Sequence, residues 1–133
     1  MEIKVNTGLV TYNLGGKVEV AFNPTDMAFG DRLLKAIDGL CELQEKPYPD
    51  DTKELLADML KRDAEARELI DELFEKEVCK PLYGTISVFA LADGLPLWAN
   101  LLTAILKQMN EGSEKRMKEA EARIAKYTKG YEL

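Results

Sequence analysis

The sequence predicts an α+β fold, mostly α: a short N-terminal β-hairpin or small sheet followed by four or five helices in a compact bundle. Three observations carry this. Apolar residues alternate with polar ones on either side of Gly15-Gly16. From Asn23 the apolar period lengthens from two to about 3.6 residues. Prolines and glycines then cut the rest of the chain into helix-sized pieces. A length of 133 residues suits one domain with a sizeable core. It divides into a hairpin element (1–22), a helical core (23–112) and a charged C-terminal helix (113–133).

Each element has its own local reason. Leu9–Leu14 ("LVTYNL") and Lys17–Phe22 ("KVEVAF") flank two glycines, which take positive φ at little cost and so favour a hairpin turn. Val18, Val20 and Phe22 mark its buried face, and Ile3–Val5 offers a third strand at the edge. In "FNPTD", Asn23 can cap a helix, Pro24 fits its first position, and Asp26 reaches back to the Asn23 amide; Thr25 as the cap is the competing register. Phe29, Leu33, Ala36, Ile37, Leu40 and Cys41 then define one face of a helix running to about Glu45. "EKPYPDD" breaks it, and Asp50-Asp51 reads as cap and dipole partner for the next helix. That helix carries the stripe Leu56, Met59, Leu60, Ala66, Ile70, Leu73 and Phe74, with a thinly apolar middle ("KRDAEAR") that suggests a bend or split near Asp63. "CKPLYG" reads as a break or a single turn.

Thr85–Leu106 carries one charge, Asp93, in 22 residues, a length that could span a bilayer. Asp93-Gly94-Leu95-Pro96 divides it, so two buried helical pieces, about Ile86–Ala92 and Pro96–Asn110, are expected instead. Ser113 can cap the last helix, whose narrow stripe is Met117, Ala120, Ile124 and Tyr127. Its remaining positions are charged, which suits either a solvated end helix or one that docks on a partner.

The composition excludes much chemistry. There is no histidine, so the usual general base and the commonest metal ligand are missing. Cys41 and Cys79 lie far apart among apolar neighbours and read as buried thiols, not as a disulfide or a zinc site. Gly15-Gly16 leads into a strand and matches no phosphate-binding loop. A net charge of −6 disfavours nucleic acid. Met1-Glu2-Ile3-Lys4-Val5 lacks the basic start of a secretory signal. Asp63–Glu77 holds seven acids and two bases, with Glu68, Asp71, Glu72 and Glu75 at helical spacing, read as a solvated acidic face. Trp98 and Tyr83 could anchor an interface, although Leu97, Leu101, Leu102 and Ile105 place Trp98 in a core setting. No catalytic residue, cofactor or metal is expected.

Two stretches carry a resemblance. "TYNLGGKVEVAFNPTDMAFGDRLLKAID" resembles the start of tail assembly chaperone-like proteins of tailed bacteriophages and prophages, with a glycine-turn hairpin, an F-N-P-x-D junction and a helix bearing F-x-x-R/K-L. "IDELFEKEVCKPLYGTISVFALADGLPLWANLLTAI" is similar to their second block, a helix ending I-D-x-x-F, an F/Y-G turn and a final pair of helices. The likeness covers roughly residues 11–38 and 69–107. Where that pattern has a glycine directly after the phenylalanine, this chain has Glu75. The resemblance implies a non-enzymatic protein of the bacterial host cytoplasm, with no nucleic acid, membrane or small-molecule partner. It would hold the long, helical tape measure protein, or other tail proteins, during tail morphogenesis. The implied groove lies between helices and is lined or bordered by Phe29, Leu33, Tyr83 and Trp98. Self-association through the hairpin edge is a further expectation. The alternatives are a minor structural tail or connector protein, and an acidic helical regulator or inhibitor of a host protein.

Overall fold

The computed structural model describes residues 1–109 and 114–128. The predicted fold class is the one observed: an N-terminal antiparallel hairpin followed by five helices among the described residues. Strands β1 (Val10–Leu14) and β2 (Val18–Phe22) pair in the register Val10↔Phe22 to Leu14↔Val18. Gly15 and Gly16 both have positive φ, and the Lys17 amide closes the turn on the Leu14 carbonyl at 3.0 Å. Ile3–Val5 forms no strand and pairs with no described residue, so the expected third strand is not found among the described residues.

The junction after β2 differs from expectation. Asp26, not Asn23 or Thr25, caps helix α1 (Met27–Glu45): its carboxylate accepts the Ala28 amide at 2.9 Å. Pro24 therefore precedes the helix and does not occupy its first position. Asn23 instead builds the turn leading to the cap, its Oδ1 accepting the Thr25 amide and hydroxyl while its Nδ2 donates to the Thr7 carbonyl. Asx turns of this type compete with helix and push the helix start downstream.

Helix α2 (Thr52–Phe74) is one element through Asp63, so the expected split is not there. Asp51 caps it by accepting the Glu54 amide. It ends at Glu75, which is left-handed (φ 52°): the Lys76 amide returns to the Asp71 carbonyl and the Glu75 amide to Glu72. This is the six-to-one and five-to-two closure that normally uses glycine.

"CKPLY" forms the single-turn helix α3 (Cys79–Tyr83). The helical piece expected at Ile86–Ala92 is not there. Turns lead instead into a second small hairpin, β3 (Leu91–Ala92) with β4 (Leu95–Pro96), closed by Asp93-Gly94, both at positive φ. Asp-Gly with that geometry is a favoured two-residue hairpin turn. Helix α4 (Leu97–Lys107) follows directly and ends three residues before the expected Asn110. Helix α5 (Glu114–Thr128) lies on α1 and α4, burying Ala120 and Ile124 and pairing Arg123 with Asp38. Ser113 and the side chains of Met117 and Tyr127 lie outside the described residues.

The core is continuous from hairpin to helices. Tyr12, Phe22 and Phe29 stack in series with centroids 4.5 Å apart, and Phe74 tilts against Phe29 at 6.3 Å. Leu33, Ile37 and Leu40 of α1, Ala66 and Ile70 of α2, and Trp98, Leu102 and Ile105 of α4 fill the centre. None of the described helices is long and apolar enough to cross a membrane.

Candidate functional site

Helices α1 and α2 pack closely because position 39 is glycine: a Cβ there would stand 2.9 Å from Leu69 Cδ1. Alongside this contact runs a groove of about 460 Å³, floored by Gly39, Leu43 and Leu69 and flanked by Glu42, Glu65, Glu68 and Glu72. Further along the same two helices a second depression shares Leu69 and Glu72 and adds Arg32 and Lys35. The groove is thus acidic in its middle, with Lys46 lining one end and Arg32 and Lys35 the other.

The second feature is an overhang. Arg62 is 3% exposed and level with the end of α1. Its guanidinium donates to the carbonyls of Leu43, Lys46 and Pro47 at 2.9, 2.6 and 2.6 Å, meets Asp58 in an ion pair, and lies under the Tyr48 ring at 4.0 Å. The Leu43 and Lys46 carbonyls lie in the last turn and cap of α1, where an ending helix leaves acceptors unpaired and a cation favours the negative end of its dipole, and the Pro47 carbonyl follows just beyond. Residues 52–61 therefore project past α1, about 15 Å at 1.5 Å per residue. None of those ten is buried. Leu56, Met59 and Leu60, expected as part of the core stripe, are 58%, 47% and 74% exposed. The stripe is real as a pattern, but among the described residues nothing covers its first third.

The acids between Asp63 and Asp71 are structural where they face inward. Asp63 accepts the Val88 amide and is held by Arg67, which donates to the Ile86 carbonyl. Asp71 accepts the amides of Val78 and Cys79 at the start of α3. Asp71 thus leaves the expected solvated face, whereas Glu68, Glu72 and Glu75 are exposed on it.

Three of the four residues expected to line a groove are core residues. Phe29 is 3% exposed and Leu33 and Trp98 are fully buried, so the structure does not place them on a groove. The Trp98 indole donates to Gln44 Oε1 at 3.0 Å. Tyr83 is half-buried, its hydroxyl donating to the Leu97 carbonyl; burial, then the neighbouring Cys79, raises its pKa to about 12. Cys41 and Cys79 are buried free thiols, as expected. Burial first, then Glu45 for Cys41 and Asp71 for Cys79, pushes each up to about 12. Among the described residues no group of three or more His, Cys, Asp or Glu is placed to hold a metal ion.

Sequence reasoning missed Arg62, although a signal was available. Arg62 stands in the row Arg62, Ala66, Ile70, Leu73, the buried face of α2 extended by one position. Comparison with protein-family models, curated proteins and solved structures finds no match.

Proposed function

We propose that this chain is a non-enzymatic helix-binding protein of the phage tail assembly chaperone type, which holds the tape measure protein while the tail is built in the host cytoplasm. The observation that supports this is the α2 overhang, where Leu56, Met59 and Leu60 form an apolar stripe on a helix that projects beyond its own bundle. An amphipathic helical client is suited to such a stripe, because each helix buries the apolar face of the other.

Co-expression with the tape measure protein of the same phage or prophage tests the reading. A complex should co-elute on gel filtration, and Leu56→Glu with Leu60→Glu should abolish it while leaving the melting temperature unchanged. Absence of a complex with that protein and with the tail tube protein sinks the proposal. Stoichiometric recovery of the chain in purified particles would favour a minor tail or connector subunit instead.

The acidic α1/α2 groove favours a second reading, a regulator of a host protein that presents a basic helix. Binding there would weaken steeply with salt, because flanking carboxylates set the attraction. Glu68→Gln with Glu72→Gln would weaken it, whereas the Leu56 and Leu60 substitutions would not.

A further inference from the structure

Among the described residues, one strand edge and one extended-patterned arm are left without strand partners, and each fits the other. The first is the outer edge of β1. Residues of an antiparallel ladder alternate between pairs whose backbone groups face each other and pairs whose groups point outward. The Glu19 carbonyl accepts the Lys76 ammonium from outside the hairpin, so Glu19 and its partner Asn13 belong to the outward set, as does Thr11 two positions away. On the β2 side that edge is blunted by Lys76 and the end of α2. On the β1 side it is open among the described residues, and Val10–Leu14 has no charge, no proline and no bulge. Natural edge strands usually carry one of these guards against pairing.

The second element is the N-terminal arm, Met1–Asn6. Met1, Ile3 and Val5 alternate with Glu2, Lys4 and Asn6. Ile3 and Val5 are 83% and 76% exposed, although both favour strands. The arm is anchored on the side of its own β2. Asn23 Nδ2 holds the Thr7 carbonyl, and the Gly8 amide donates to Asn6 Oδ1. Gly8 sits at φ +72°, where a Cβ would be 2.6 Å from Asn23 Nδ2, so position 8 fixes that exit. The anchor lies past the Val10–Phe22 pair and away from the open edge of β1.

We propose that Met1–Asn6 of one copy adds as a third strand to the open β1 edge of a second copy, reciprocally, giving a two-fold dimer. The period-two pattern matches across the pair. Met1, Ile3 and Val5 fall on the face of Val10, Tyr12 and Leu14, where Val10 is still half exposed. Glu2 and Lys4 fall on the solvent face with Thr11 and Asn13. The outward N–H and C=O groups of Thr11 and Asn13 gain partners, and a two-stranded hairpin becomes a three-stranded sheet, the smallest that holds together well. A second copy is the occupant because both halves of the contact are present in one chain, as an isologous interface requires. The pairing does not depend on any client of the α2 overhang.

Light scattering on the eluting full chain should give twice the chain mass, with the Thr11 and Asn13 amides protected from hydrogen exchange. Deleting Glu2–Val5, which lie outside the core, should give the single-chain mass with an unchanged far-UV spectrum and expose both amides. Thr11→Pro, which removes an outward N–H that an edge strand can lose, should do the same. The deleted chain keeps its edge and the proline chain keeps its arm, so mixing the two should restore a one-to-one dimer. A full chain of single mass at every concentration overturns the proposal. So does a dimer that survives the arm deletion, whatever the proline variant does.

Discussion

Asp63 and Val88 are joined across 25 positions: one carboxylate oxygen accepts the buried Val88 amide at 2.7 Å while the other is held by Arg67 one turn away. The segment after α3 has no helix of its own to satisfy its backbone, so α2 supplies the acceptor. Asp63→Ala leaves that amide unpaired inside the protein and should cost about 2 kcal/mol in urea unfolding. Asp63→Asn keeps the acceptor and should cost distinctly less.

Arg62 has a larger role for its size. Arg62→Ala removes the donor to three carbonyls at the end of α1 and leaves Asp58 without its ion pair. A loss on the order of 3 kcal/mol is expected in equilibrium unfolding. Arg62→Lys should recover little of it, because a single ammonium cannot reproduce the planar fork.

Glu75 sits in the left-handed region, which a side chain disfavours by about 1 kcal/mol relative to glycine. Glu75→Gly should therefore raise stability by about that amount, read as a higher urea midpoint with unchanged slope. No decrease is expected, since Glu75 is exposed.

Cys41 and Cys79 titrate near 12 when folded, against an ordinary 9.0, and Tyr83 near 12 against 10.0. In each case the fold keeps the proton, so the unfolded chain binds fewer protons above pH 9. Stability is thus fully present below pH 9 and declines as pH rises towards 12. The urea midpoint should fall between pH 8 and pH 10.5, and both thiols should resist a thiol reagent at pH 8 until denaturant is added.

The cap assignment separates two neighbouring residues. Asp26→Ala should cost about 1 kcal/mol through the lost helix cap. Asn23→Ala removes the turn and the Thr7 anchor, so it should also free the N-terminal arm. Amide exchange at Gly8 would report that release, and Asp26→Ala should leave it unchanged.

What was legible in the sequence follows what is local. Gly15-Gly16 between alternating strands, the α1 stripe from Phe29 to Cys41, and Asp51 as a cap each depend on neighbours a few positions away, and the structure has them. The Asp93-Gly94 turn was visible only as a break. Its flanking strands are two residues long and too short to show alternation. Periodicity identified Leu56, Met59 and Leu60 as one face but carried no information on whether another element reaches that face. Arg62 and Asp63 have the opposite character: charged by type, they turn inward because distant carbonyls and amides need partners, a demand that exists only once the chain has folded. Asn23 and Thr25 were the caps the local pattern offered, and the Asx turn at Asn23 moved the helix start on to Asp26.

The chain contains a single tryptophan, and its placement makes the protein its own optical gauge. The Trp98 indole is sealed from solvent where the start of α4 meets the far end of α1, 54 residues away in sequence. Emission should be blue-shifted in the folded protein and should redden as one event when that joint opens. Separation of α1 from α4 could then be followed without a label.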